Sequence, residues 1–161
     1  MNRSVFARAA RVMGVIAVCM VAAACAQNRT QAPGGAGSVV AGSAQDFVVN
    51  VGDRVYFLNN QSTLSPTART TLDKQAQWLK AYSKYTVTIE GHADERGTRQ
   101  YNIALGARRA SAVRDYLVAR GVSTSRIKTL SYGKERPIAV CDNDSCWSQN
   151  RRAVTVVNNA R

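Results

Sequence analysis

Acidic residues are scarce in this 161-residue chain, histidine is almost absent, and no apolar run is long enough to cross a bilayer as a helix. Ten Asp and Glu stand against 22 Lys and Arg, a formal net charge of +12. The single histidine, His92, leaves any metal site dependent on carboxylates or thiols around it, and the H-x-D-E run it opens lacks the spacing of zinc motifs. A structural, hydrogen-bonding histidine is the expectation. The chain also lacks a nucleophile elbow, an H-E-x-x-H helix and a histidine within a Cys or Ser constellation. Hydrolytic chemistry built on those groups is excluded, and neither a cofactor nor a metal is expected.

What is present begins with an export grammar. Arg3, Arg8 and Arg11 are followed by thirteen uncharged residues, Val12 to Ala24, and then by Cys25 after three alanines. Thirteen residues fall short of the roughly 20 a transmembrane helix needs, so residues 1–24 read as a cleaved signal peptide. Its removal takes three arginines and no acid, leaving 19 basic against 10 acidic residues, net +9.

Small residues directly before a cysteine resemble the lipobox of bacterial lipoproteins, with Ala22 standing where that pattern usually has leucine. The resemblance implies that Cys25 is acylated and that Ala26, not being aspartate, sends the protein to the outer membrane. Several acyl chains at roughly 0.8 kcal/mol per buried methylene make a firm anchor. Residues 25–45, rich in Gln, Asn, Pro, Gly, Ser and Ala, read as a lipidated N-terminus and flexible tether. Residues 46–161 are left as one domain.

Within it, folded structure is expected from near Gly52. Val55, Tyr56 and Phe57 suit a strand. Ser65-Pro66 is a helix N-cap with proline at the first helical position, and Ala68, Leu72, Ala76 and Leu79 mark one face of a helix ending near Tyr82. Tyr85, Val87 and Ile89 alternate with Thr86, Thr88 and Glu90, the period of a half-buried strand. A second helix is predicted from Asn102 to Arg120, stopped by Gly121, with Ile103, Ala107, Ala110, Val113 and Leu117 on its core face. Asn102, Leu105 and Arg109 form a stripe on its flank. Strands at Lys128–Tyr132 and Ala153–Val157 complete a two-layer α/β sandwich, βαβαβ in type, with helices on one face of a mixed sheet.

The polar turn after the second strand packs His92, Asp94, Glu95 and Arg96 into five positions. Asp94 in this turn and Arg109 two turns into the following helix suit a zwitterionic ligand: a carboxylate accepts from an ammonium, and a guanidinium binds a carboxylate bidentately. Backbone N–H groups near Gly97 and the helix start add anion contacts. The alternative is that Asp94 and Arg109 pair with each other. Cys141 and Cys146, in an Asp- and Asn-rich loop of an exported chain, read as a local disulfide, with two free thiols as the alternative.

GHADERGT at 91–98 and YNIALGARRASAV at 101–113, with SYGKERP at 131–137 and NRRAV at 150–154, are similar to the signature of OmpA-like peptidoglycan-binding domains. That signature is a TD or AD turn followed by N-x-x-L-S-x-x-R-A-x-x-V. The resemblance implies that Asp94 and Arg109 bind the ammonium and carboxylate of diaminopimelate in peptidoglycan, with Asn102 and Leu105 at the motif's Asn and Leu positions and Gly97, Thr98 and Phe57 completing the ligand-binding set. It implies no catalysis. For the lipid-anchored members it further implies TolB and other Tol proteins as partners, with an anchor in the outer membrane. Three departures stand out: Gly106 replaces the usual serine, Arg99 a common proline, and LNNQSTL after Phe57 lacks the aspartates common there. A motor-stator subunit using the same domain would need a retained transmembrane helix. Nucleic acid is not expected as a partner, because neither a known module nor aromatic stacking accompanies Arg108, Arg114, Arg120 and the Arg151-Arg152 pair.

Overall fold

The computed structural model describes residues 39–158, so the expected signal peptide, Cys25 and most of the tether lie outside the described residues. The elements are helix α1 (Ala44–Asp46), strand β1 (Arg54–Tyr56), helix α2 (Pro66–Ala81), strand β2 (Thr86–His92), helix α3 (Arg99–Ala119), strand β3 (Ile127–Gly133), helix α4 (Asp144–Asn150) and strand β4 (Arg152–Asn158). The sheet order is β1-β4-β2-β3. β4 runs antiparallel to both β1 and β2, while β2 and β3 are parallel, which makes the sheet mixed as expected.

The alternation along β2 is realised: Val87 and Ile89 are buried beneath the helices, and Thr86, Thr88 and Glu90 face the other side. Helix α2 starts where its sequence signals place it, with the Ser65 hydroxyl accepting from the Ala68 N–H and Pro66 in the first turn. Its Ala68, Leu72, Ala76 and Leu79 join Val113 and Leu117 of α3 in the core. Burying each large aliphatic side chain contributes about 1.5–3 kcal/mol.

Packing begins earlier than Gly52. Ser43 caps α1, which continues as a π-helical turn over Phe47–Gly52. Phe47 is fully buried edge-on to Trp78, at 5.0 Å between ring centroids. The Trp78 indole N–H donates to Asp46 Oδ2 at 2.8 Å, and the Tyr85 hydroxyl to the Gly42 carbonyl at 2.9 Å. The last residues of the expected tether are therefore tied down.

The expected core face of α3 is rotated. Asn102, Leu105, Gly106, Arg109, Ala110, Val113 and Leu117 are buried, whereas Ala107 is exposed and Ile103 only half-buried. At 100° per residue the buried set spans a sector of about 140°, and Ile103 and Ala107 lie just beyond it. The cause is a contact between glycines. A Cβ at Gly91 would overlap the Gly106 carbonyl, and one at Gly106 would overlap the Ser131 hydroxyl. With no side chain on either glycine the helix backbone closes on β2 there, and the stripe containing Gly106 faces inward. The serine that the family pattern favours at this position has its place taken by Ser131, whose Oγ donates to the Ile103 carbonyl at 2.7 Å.

The connection after β3 contains α4, which periodicity did not indicate. Asn143 caps it, and the Cys141–Cys146 disulfide is formed across its start.

Candidate functional site

The turn Ala93–Thr98 leaves β2 and enters α3. Gly97 has φ +85°, a left-handed conformation that glycine adopts without cost. Thr98 then caps α3, its hydroxyl accepting from the Tyr101 N–H at 3.2 Å. Asn102 Nδ2 donates to the Arg96 carbonyl at 2.8 Å, and Lys134 Nζ donates to the carbonyls of Glu95 and Gly97 at 3.0 and 2.8 Å. Gly97, Thr98 and Asn102 thus shape the turn, while Leu105 and Phe57 are buried behind it.

Asp94 and Arg109 do not pair with each other. Asp94 takes Arg96 in a fork, Nε to Oδ1 at 3.1 Å and Nη2 to Oδ2 at 2.7 Å, plus the Arg96 backbone N–H at 3.2 Å. Arg151 Nη1 lies 3.6 Å from Oδ2 and is itself held by Asp144 at 3.0 Å. Burial favours the neutral acid, yet these hydrogen bonds and charges outweigh it and hold the Asp94 carboxyl below its ordinary value. It is an anion at neutral pH.

Arg109 is sealed. Its side chain is fully buried, and its guanidinium donates to three carbonyls: Gln61 from Nε at 2.9 Å, His92 from Nη1 at 2.7 Å and Leu58 from Nη2 at 3.1 Å. The Phe57 ring lies 5.2 Å beneath it. Burial pushes its pKa down to about 10, with the charge of Asp94 opposing, so it stays a cation. The guanidinium pins the Leu58–Gln61 loop to the turn.

The structure adds two residues that the sequence reading did not place in the site, Arg151 and Trp147, and gives Arg96, already in the polar turn, its partners. Arg96, two residues on, pairs with Asp94 locally within the turn, whereas the approach of Arg151 is a tertiary fact. Trp147 carried no signal. Its ring lies 4.1 Å from the Arg96 guanidinium, and its indole N–H donates to Glu95 Oε1 at 3.0 Å. A cleft of about 230 Å³ opens beside Arg96, lined by Asn59, Asn60, Gly97 and Tyr101, and a larger apolar groove of about 720 Å³ runs along Tyr56, Leu58 and Leu64 toward Arg151.

His92 does not hydrogen-bond through its ring. It is 2% exposed and stacks on Tyr132 at 5.5 Å, and neither ring nitrogen has a partner. Burial, reinforced by the charges of Arg152 and Arg136, lowers its pKa to about 4, so Glu90 at 3.9 Å faces a neutral ring rather than an ion. Because the unfolded chain takes up this proton near pH 6.5 and the folded chain only near 4, stability should fall as pH drops through that window. The loss is on the order of 3 kcal/mol. Chemical denaturation at pH 7 and pH 4.5 should show a difference that His92→Phe reduces; an equal difference in that variant would assign it to other groups. Among the described residues no group of three His, Cys, Asp or Glu is placed to hold a metal, and no helix is long and apolar enough to cross a membrane.

Residues 56–152 match the model of the OmpA family. The chain is 56% identical over 155 residues to the peptidoglycan-associated lipoprotein of Mesorhizobium japonicum, covering 92% of each chain. It is 64% identical over 126 residues to that of Brucella melitensis, covering 78% of this chain and 75% of the relative. Among solved structures, the peptidoglycan-associated lipoprotein from Burkholderia pseudomallei superposes with a TM-score of 0.68 at 35% identity, covering 72% of this chain and all of that one. The C-terminal domain of Helicobacter pylori MotB, at 21% identity, TM-score 0.62 and coverage of 66% and 84%, shares the fold.

Proposed function

Since the chain belongs to the OmpA family, we propose that it is an outer-membrane lipoprotein whose domain grips peptidoglycan through diaminopimelate, without covalent chemistry. The observation that carries this reading is the ionised Asp94 carboxylate, fixed at the mouth of the turn and ringed by Arg96, Arg151 and Arg109. A ligand with an ammonium and a carboxylate on one carbon matches that charge pattern. The ammonium goes to Asp94, and the carboxylate to the arginines behind and beside it, including Arg109 once the Leu58–Gln61 loop gives way. Asn102, Thr98 and Gly97 hold the turn in shape, and Phe57 and Leu105 support it from the core.

In this reading residues 1–24 are removed, Cys25 is acylated, residues 25–45 carry the tether, and 46–161 form the binding domain facing the periplasm. TolB and other proteins of the Tol-Pal system are the partners in envelope maintenance and division, supported by the named relatives and by the lipobox-like sequence before Cys25.

Sedimentation with isolated sacculi tests the site. Asp94→Ala removes charge-assisted bonds that contribute roughly 1.5–3 kcal/mol each, so the bound fraction should drop as for a 10- to 100-fold weaker affinity. Undiminished co-sedimentation of the Asp94→Ala protein would remove the assignment.

A further inference from the structure

The carboxylate that the proposed function assigns to a ligand ammonium already carries an internal cation. Arg96 lies across Asp94 through two side-chain hydrogen bonds, and its Nη2 also donates to Asn59 Oδ1 at 2.9 Å. Its Nη1 donates to nothing among the described residues, and Arg96 lines the 230 Å³ cleft together with Asn59, Asn60, Gly97 and Tyr101. The Trp147 ring lies 4.1 Å from the guanidinium carbon.

Trp147 is held in that place by several independent braces. The Cys141–Cys146 disulfide ends one residue before it. Asp144, on the same helix, bonds Arg151, and the Asn150 side chain bonds the backbone of Ile138 and Ala139 in both directions. The indole N–H is fixed on Glu95, within the turn itself. The half-buried ring over Arg96 is thus tied to the framework.

We propose that Trp147 is a specificity-determining positioning residue: by retaining the Arg96 guanidinium over Asp94, it closes the site to a simple amine and admits an ammonium that arrives with its own carboxylate. The inference rests on the binding reading given above. A bare amine must displace Arg96 from Asp94 and offers the guanidinium nothing in return. An α-amino acid head group offers a carboxylate to the unpartnered Nη1 of Arg96, beside the cleft that this residue lines, as its ammonium takes Asp94, so the cation it displaces is received rather than stranded. The device therefore separates the diaminopimelate head group from the side-chain amine of lysine in an otherwise identical wall peptide.

Two soluble stem peptides differing only in diaminopimelate or lysine at the third position should be titrated calorimetrically into the wild-type protein and the Trp147→Ala, Trp147→Phe and Asp94→Ala variants. The wild type should prefer the diaminopimelate peptide by about tenfold or more. Trp147→Ala should narrow that preference about fivefold, chiefly by tighter binding of the lysine peptide, as expected on removing a cation–π contact. Trp147→Phe, which keeps a ring over the guanidinium, should restore most of it. The diaminopimelate peptide should also change an indole emission that Trp147→Phe lacks, since the other described tryptophan, Trp78, is buried under α1. A preference that is unchanged in Trp147→Ala, with Asp94→Ala still weakening binding by about 10- to 100-fold, overturns this inference and leaves the binding site standing. Failure of the wild type to bind either peptide overturns both.

Discussion

Arg109→Ala is expected to lower the unfolding free energy by about 3–5 kcal/mol, because it strands the carbonyls of Leu58, Gln61 and His92 and empties a fully buried volume above Phe57. Each unpaired buried acceptor costs about 1–3 kcal/mol, less where the loop can admit water. Arg109→Lys should recover only part of this: one ammonium at the end of a flexible stem cannot reproduce a planar fork that meets three carbonyls. Urea unfolding of both variants checks the size and order of the losses. An alanine variant within 1 kcal/mol of wild type would show that the carbonyl cage contributes little, and that the burial of this arginine has another cause. The stability measurement also guards the binding one. Loss of sacculus binding in Arg109→Ala has to be compared at temperatures where the variant remains folded.

The second large effect lies at the crossing of α3 over β2. Gly91→Ala places a methyl group on the Gly106 carbonyl, which is helical backbone and cannot rotate away. Overpacking typically costs 1–3 kcal/mol, and a clash with backbone at the centre of the helix–sheet contact belongs at or above the top of that range. Gly106→Ser meets two obstacles: its methylene falls on the Ser131 hydroxyl, which can turn aside by breaking its bond to the Ile103 carbonyl, and 2.8 Å from the Gly91 carbonyl oxygen, which cannot. Combining Gly106→Ser with Ser131→Ala should therefore recover stability relative to Gly106→Ser alone, whereas Gly91→Ala should gain nothing from Ser131→Ala. Thermal melts of the four variants decide between a specific steric coupling and general fragility of the crossing.

Strands and long helices were legible because burial imposes periods of two and 3.6, and Val87, Ile89, Leu72 and Leu79 obey them. The orientation of α3 was not, since glycine carries no hydrophobic signal and the approach of Gly106 to Gly91 depends on a strand fifteen residues away. The N-terminal hook was hidden for a similar reason: Phe47 opens a short apolar run in which Val48 and Val49 stay exposed, and only the aromatic face of Trp78, Tyr82 and Tyr85 gives Phe47 its place. At the site, the family motif picked out Asp94 and Arg109, but chain spacing could not say that one would be neutralised by a near neighbour and the other walled in by carbonyls. Arg96 and Trp147, 51 positions apart, meet only because the disulfide-braced loop folds over the turn.

The anchoring of Gly42 to Tyr85 has a mechanical consequence. The chain joins the domain just before β2, and Asp94 follows just after it, so seven residues of extended strand separate the point of attachment from the point of grip. That distance is on the order of 23 Å. In the proposed function, a pull between membrane and wall would run lengthwise along β2, a central strand bonded to β4 on one side and β3 on the other. Such a load shears both ladders at once instead of peeling hydrogen bonds one at a time. The domain is strung along its strongest axis, like a link loaded end to end.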